Sequence, residues 1–258
     1  MSQEVGEGIK LSGVTREKVF VTGKLWNHKH HPEDVEAGCR QSLKDLGLDY
    51  LDLYLMHFPS AFKRGDEFLP KDENGDIIFD DSIHPTETWL AMEKLVEKGL
   101  VKSIGVSNFN SEQIDDIIKK GTIKPAMCQV EVHPFFTQNK LINFCRERDI
   151  AVTGYSPLVN GRSGILDDPQ LKEIAGRYNK STAQVILRWH VQRGVIVTPK
   201  SIFKNEIDEN IKLFDFSLTP EEMDLISGFD KNKRIVVPMC NGKIRDERSK
   251  HFPFAIEF

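Results

Sequence analysis

The sequence predicts an α/β fold of parallel strands alternating with helices, and favours a closed barrel over an open sheet. Three observations carry this. Short apolar, β-branched runs recur along the chain, as expected of strands buried on both faces. Each is followed by a loop and an amphipathic stretch of helical length, so consecutive strands must be parallel and joined by crossovers. An open dinucleotide-binding sheet usually carries G-x-G-x-x-G at its first strand-to-helix turn, and that run is missing, because Gly6-Glu7-Gly8 precedes the first strand.

The strand candidates, in order, are Val19–Lys24, Leu51–His57, Ser103–Ser107, Met127–Val132, Ala151–Tyr155 and Val195–Thr198. Ahead of them, residues 2–10 read as a helix whose own strand is missing. Pro32–Leu46 is the best-marked helix, with Pro32 at its start, Gly47 at its end, and Val35, Cys39, Leu43 and Leu46 on one stripe. A long loop from Pro59 to Pro85 precedes a helix ending at Glu97-Lys98-Gly99. Ser111–Lys120 and Gln138–Arg148 follow the third and fourth strands. After the fifth strand a glycine-rich loop leads to helices at Asp168–Tyr178 and Ser181–Gln192, and Lys204–Phe214 and Pro220–Phe229 close the regular part. The rest reads as an irregular tail made apolar by Phe252, Phe254, Ile256 and Phe258. A barrel needs eight strands, and six can be counted.

With 258 residues, 29% charged and 39% hydrophobic, the composition is that of a globular domain, and a single domain over residues 1–258 is expected. A net charge of −4 argues against a nucleic-acid partner, since a phosphate backbone rewards concentrated positive charge. The His28-Lys29-His30-His31 cluster reads as a solvated loop, without ligand spacing for a metal. Cysteines 39, 128, 145 and 240 form no C-x-x-C pair and read as buried free thiols, which suits a reducing, cytoplasmic setting. No apolar run reaches membrane-spanning length, and the first ten residues carry no signal-peptide pattern.

In a barrel the site lies at the C-terminal ends of the strands. Polar or aromatic residues stand there: Lys24 and Trp26, His57, Ser107 and Asn108, Gln129 and Glu131, Tyr155 and Ser156, Lys200 and Ser201. Lys24, at the mouth of an apolar strand, either holds positive charge beside a reacting oxygen or phosphate or snorkels to the rim. His57 either donates to a carbonyl oxygen and exchanges a proton or is a satisfied core histidine. Tyr155 either stacks on a flat cofactor ring or caps the core. Asn108 and Gln129 suit a carboxamide held between them, and Lys200-Ser201 resemble a phosphate pocket, although Glu206 close by would repel a phosphate.

The chain resembles the aldo-keto reductase family over essentially its whole length. The resemblance rests on Gly-Lys-Leu-Trp at 23–26, Leu-Asp-Tyr-Leu-Asp-Leu-Tyr-Leu-Met-His-Phe-Pro at 48–59, and Lys-Ser-Ile-Gly-Val-Ser-Asn-Phe at 102–109. Gln-Val-Glu-Val-His-Pro at 129–134, Gly-Tyr-Ser-Pro-Leu at 154–158 and Thr-Pro-Lys-Ser at 198–201 extend it. It is similar to aldose and aldehyde reductases and to fungal xylose reductases. The resemblance implies a TIM (β/α)8 barrel, a monomer, and reduction of a small aldehyde or ketone by hydride from NADPH.

The resemblance gives Lys24 the task of lowering the pKa of a catalytic tyrosine, and His57 that of orienting the carbonyl. Ser107, Asn108 and Gln129 would hold the nicotinamide amide, with Tyr155 stacked on its ring and Ser156 and Leu158 along the pyrophosphate. Lys200 and Ser201 would bind the adenosine-side phosphate, Glu209 and Asn210 the adenine, and Trp26 and Phe58 would wall the substrate pocket. Two departures matter. The family's tyrosine and the aspartate that pairs with its lysine fall ahead of the segment matched by residues 3–9, on and after the second of two missing strands. The chain is therefore expected to be an incomplete barrel with exposed strand edges, weakly active or inactive alone. Its alternative role is a non-catalytic nicotinamide-nucleotide-binding regulatory or structural protein. Glu206 also stands where NADPH-preferring relatives usually carry arginine, which makes NADH use more plausible than usual. A different barrel enzyme using Lys24 as a Schiff base is the remote alternative.

Overall fold

A computed structural model describes residues 2–159 and 164–256. Gly161 of the glycine-rich loop and Phe258 of the apolar tail lie outside the described residues. The chain divides into two compact units. The first comprises residues 1–128 and 238–258, and the second residues 129–237.

The first unit runs α1 (Ser2–Ser12), β1 (Thr22–Leu25), α2 (Pro32–Leu46), β2 (Leu51–Met56), α3 (Pro85–Glu97), β3 (Val101–Ser107) and α4 (Ser111–Lys120). Strands β1 and β3 each pair in parallel with β2, in a register that sets Lys24 opposite Leu55 and Ser103 opposite Leu53. Every residue of β2 is buried, as its unbroken apolar run requires. The exception by residue type is Asp52, which accepts from the Val21 amide at 2.9 Å and pairs with Arg16 and Lys102 at 2.8 and 3.0 Å. Helix α2 has the expected bounds, with Pro32 in its first turn and Gly47 left-handed at φ 64°, and it buries the expected stripe of Val35, Cys39, Leu43 and Leu46. Helix α1 approaches the end of α2 so closely that a Cβ on Gly6 would sit 2.1 Å from the Leu46 carbonyl oxygen.

Strand β4 (Met127–Glu131) contains the boundary between the units. The second unit continues with α5 (Asn139–Arg146), β5 (Ala151–Tyr155), α6 (Pro169–Tyr178), α7 (Thr182–Gln192), β6 (Val195–Val197), α8 (Lys204–Asn210) and α9 (Pro220–Ser227). Strands β5 and β6 pair in parallel, and helices α6, α7 and α9 bury Leu171, Ile174, Val185, Ile186, Trp189 and Ile226 in one core. Asn110, Ser181 and Thr219 open α4, α7 and α9 with reciprocal caps, the local reason these helices start where the sequence expects.

Some expectations change. Gln138 is left-handed, so α5 starts one residue later, and α8 stops at Asn210 rather than Phe214. The histidine loop is not solvated: Asn27 and His30 are fully buried, and His28 and His31 half-buried. Among the described residues, no cluster there or elsewhere could hold a metal. Cys39, Cys128 and Cys145 are buried free thiols, but Cys240 is partly exposed.

The tail is also more ordered than expected. It forms a hairpin of β7 (Met239–Cys240) and β8 (Lys243–Ile244) and returns to the first unit. There Asn110 Nδ2 donates to the Pro253 carbonyl at 3.1 Å and Gln113 Nε2 to that of His251 at 3.0 Å, while Lys243 pairs with Asp76 at 3.1 Å.

Among the described residues β1 pairs only with β2, and β6 only with β5. Phe20 beside β1 is 70% exposed and Ile196 in β6 is 51% exposed. In the second unit β6 borders an apolar groove of about 590 Å³ lined by Ile196, Pro199, Ile207, Ile211 and Phe214.

Candidate active site

In the first unit the loops after β1 and β2 are zipped together. The His57 amide donates to the Leu25 carbonyl at 3.1 Å, Asn27 Nδ2 to that of Ser60 at 2.7 Å, and the Phe62 amide to that of Asn27 at 3.0 Å. This brings Lys24, Trp26, His57 and Phe58 to one mouth. The Trp26 ring meets His57 edge-on at 5.0 Å and stacks on Phe68 at 4.4 Å, while its Nε1 donates to the Phe68 carbonyl at 2.7 Å. Phe58 stacks on His57 at 5.5 Å.

Both polar residues at this mouth are half-buried. Lys24 has no carboxylate partner among the described residues, and burial pushes its pKa down. Burial, reinforced by the charges of Lys24 and Arg245, pushes the His57 pKa down to about 3, so the ring is neutral at pH 7. A neutral imidazole beside an ammonium offers one N–H donor to a carbonyl oxygen. An ammonium so placed is able to stabilise negative charge on such an oxygen.

Arg245, from the tail, completes this mouth, and sequence reasoning missed it. Its guanidinium lies 4.7, 5.1 and 5.3 Å from the rings of Phe58, Phe62 and Trp26, and is held by Asp246 at 2.8 and 2.5 Å. Phe68 was missed too. The available signal was weak: an Arg-Asp pair in a tail otherwise read as irregular, and a phenylalanine in a polar loop.

Ser107 and Asn108, at the end of β3, join the same group. Asn108 is left-handed at φ 59°, and its Nδ2 donates to the His57 carbonyl at 3.0 Å and to Ser107 Oγ at 3.2 Å. A non-glycine residue held in this region immediately after a strand marks a backbone shaped by its site. Among the described residues Asn27 Oδ1, Ser60 Oγ and both ring nitrogens of His30 are buried and unbonded.

In the second unit Gln129 is buried in β4, and Tyr155 ends β5 with its hydroxyl bonded to Arg234. Burial first, then the Glu131 charge, raise the Tyr155 pKa, so it stays protonated. Glu131 is structural. Its carboxylate is fully buried and accepts from the Ile235 and Val236 amides at 2.7 and 3.1 Å and from His133 Nε2 at 2.9 Å. Ser156 repeats the feature of Asn108, left-handed at φ 52° directly after a strand. Leu158 packs on the core of this unit.

Lys200 is exposed and Ser201 half-buried. The Ser201 hydroxyl accepts from the Phe203 amide at 3.0 Å and donates to Glu206 at 2.5 Å. The carbonyl of Glu209 is tied down by Gln184 Nε2 at 3.1 Å, and Asn210 lines the apolar groove.

The four tyrosines are all committed elsewhere. Tyr54 is 1% exposed, with its hydroxyl toward Ser42 of α2, and Tyr50 lies under the cations of Arg16 and Lys102. Tyr155 bonds Arg234, and Tyr178 donates to Glu222 at 2.7 Å.

The chain is similar throughout to proteins of one kind. The model of the aldo/keto reductase family matches residues 2–231. Aldo-keto reductase family 1 member A1-A of Danio rerio is 49% identical over 266 residues, 98% of this chain and 81% of the relative. Aldo-keto reductase family 1 member A1 of Homo sapiens is 49% identical over 268 residues, covering 97% and 82%. The solved structure of the aldose reductase from Schistosoma japonicum superposes with a TM-score of 0.93 at 41% identity, over 100% of this chain and 83% of that one. On the family match, the identities and the superposition together, the chain belongs to the aldo/keto reductase family.

Proposed function

We propose that this protein is a reductase of small aldehydes or ketones that takes its hydride from a reduced nicotinamide dinucleotide. Family membership supports NAD(P)H-dependent oxidoreductase chemistry on small carbonyl compounds. The single observation that carries the finer reading is the pairing of a desolvated Lys24 with a neutral His57 in an aromatic-walled mouth. His57 donates an N–H that orients the carbonyl, and Lys24 stabilises the negative charge that forms on its oxygen. Trp26, Phe58, Phe62 and Phe68 exclude water and offer an apolar wall to the substrate.

The residues present suit the cofactor by their donor set. Ser107, Asn108 and Gln129 are a hydroxyl and two amides for a carboxamide, and Tyr155 is a protonated aromatic at a strand end. Ser156, Leu158, Lys200, Ser201, Glu209 and Asn210 are the candidates for its phosphate and adenosine portions. The cofactor supplies the hydride when bound.

A specific observation also favours the second reading, a nucleotide-binding protein without turnover. None of the four tyrosines is available to Lys24 as a proton donor, and Lys24 lacks a carboxylate partner among the described residues. The experiment is aldehyde-dependent oxidation of NADPH and of NADH by the purified 258-residue chain, with cofactor binding followed by fluorescence quenching. Binding with turnover that is lost in Lys24→Met and reduced in His57→Gln supports the reductase. Binding without turnover assigns the second reading to this polypeptide. Binding of neither cofactor rejects both.

A further inference from the structure

The adenosine-side pocket does not fit the 2′-phosphate of NADPH. The only hydroxyl available there, that of Ser201, spends its proton on Glu206 at 2.5 Å and its acceptor side on the Phe203 amide at 3.0 Å. A phosphate dianion accepts hydrogen bonds and donates none, so it finds no free hydroxyl donor at this serine. It also meets a carboxylate. Within residues 200–210 Lys200 and Lys204 stand against Glu206, Asp208 and Glu209, and Lys204 is already paired with Asp208 at 2.6 Å. Lys200 and Glu206 then cancel, and Glu209 leaves the segment net negative, which offers no attraction to an extra dianion.

A ribose with a free 2′-hydroxyl presents the opposite chemistry. Its O–H donates, and a carboxylate oriented by a serine hydroxyl accepts. That is the physical rule by which an acidic side chain selects NAD over NADP in other dinucleotide sites.

We infer that Glu206, held by Ser201, is a specificity-determining residue that turns this site away from NADPH and toward NADH. The inference rests on the proposal that residues 200–210 receive the adenosine end of the cofactor. It goes further than weakened NADPH preference, because the serine that would help bind the phosphate is itself engaged in holding the carboxylate.

The test is equilibrium binding, independent of turnover, by fluorescence quenching with NADH and NADPH on the 258-residue chain, the Glu206→Arg variant and the Glu206→Gln variant. Glu206 is exposed, so both variants leave the fold unaffected. The original chain binds NADH at least as tightly as NADPH. Glu206→Arg shifts the ratio toward NADPH by about 30-fold or more, through a bidentate cation in place of an anion. Glu206→Gln shifts it about 5-fold in the same direction, and raising the salt concentration reduces the difference between the original chain and this variant. NADPH binding more than tenfold tighter than NADH in the original chain, or a ratio unchanged in both variants, overturns the inference while leaving the cofactor proposal standing. Binding of neither nucleotide by any of the three chains overturns both.

Discussion

Two buried histidines, one in each unit, are partnered in opposite ways. His30 in the first unit and His190 in the second are both fully buried, at 1% and 0% exposure. His30 has neither ring nitrogen bonded among the described residues, and burial, with smaller contributions from neighbouring histidines, pushes its pKa down to about 3. His190 sets its nitrogens 2.8 and 3.0 Å from the carbonyl oxygens of Ile186 and Val132. Burial still lowers its pKa, but only to about 4, because those carbonyls favour the charged ring. Near His30 in sequence, Asn27 Oδ1 is also buried and unbonded, as is Ser60 Oγ, while Glu131, Gln184 and Glu222 of the second unit each hold several partners. Each unit has exceptions: Glu93 of the first holds three bonds, and His133 Nδ1 of the second has none. Unpaired buried groups cost stability, and proteins concentrate that cost where chemistry is done. The unpaired groups of the first unit lie in the same unit as Lys24 and His57, the residues proposed to meet the carbonyl.

Three measurements press on this comparison. The largest expected effect is in the second unit. Glu131→Ala strands the Ile235 and Val236 amides and His133, and should cost about 3–5 kcal/mol in denaturant unfolding. A loss under 1 kcal/mol would make the second unit as loosely partnered as the first.

The next effect is on pH dependence. His30 binds a proton when unfolded near the ordinary 6.5 but only near 3 when folded. Between those values the unfolded chain holds the extra proton, so stability falls as pH is lowered through this window. His30→Asn should flatten the slope of stability against pH near pH 5 by about 1.4 kcal/mol per pH unit. An unchanged slope would show that this ring titrates normally.

The smallest effect has the opposite sign to ordinary core damage. Lys24→Met removes a desolvated charge without a carboxylate partner and should raise stability by roughly 1 kcal/mol. A destabilised variant would mean that Lys24 supports the fold rather than the chemistry.

Much of the fold was legible in the sequence because its signals are local. Pro32 and Gly47 bracket α2, and Val35, Cys39, Leu43 and Leu46 repeat at helical spacing, so both the bounds and the buried face follow from neighbours in sequence. Ala151–Tyr155 is likewise a short run rich in apolar, β-branched and aromatic residues. The site was legible only in part. Lys24 and His57 stand out because a charged and a titratable residue end apolar strands. Arg245 does not, because its meaning comes from three aromatic rings far away in sequence. Glu131 looked like another strand-end functional group, yet its partners are backbone amides about a hundred residues downstream. The histidine loop was misread as solvated because its charge pattern carries no sign of the chain that folds over it.

The division of the chain has a consequence for its making. Residues 129–237 form an unbroken stretch, whereas the first unit consists of residues 1–128 and 238–258. During synthesis the second unit is therefore wholly translated while the other still lacks a piece. That piece carries Arg245, whose guanidinium lies over Trp26, Phe58 and Phe62, and the backbone carbonyls gripped by Asn110 and Gln113. A nascent chain arrested before residue 238 would expose a greasy, unroofed mouth beside His57. Chaperones that recognise such surfaces would meet this protein at its aromatic mouth until residues 238–258 have emerged.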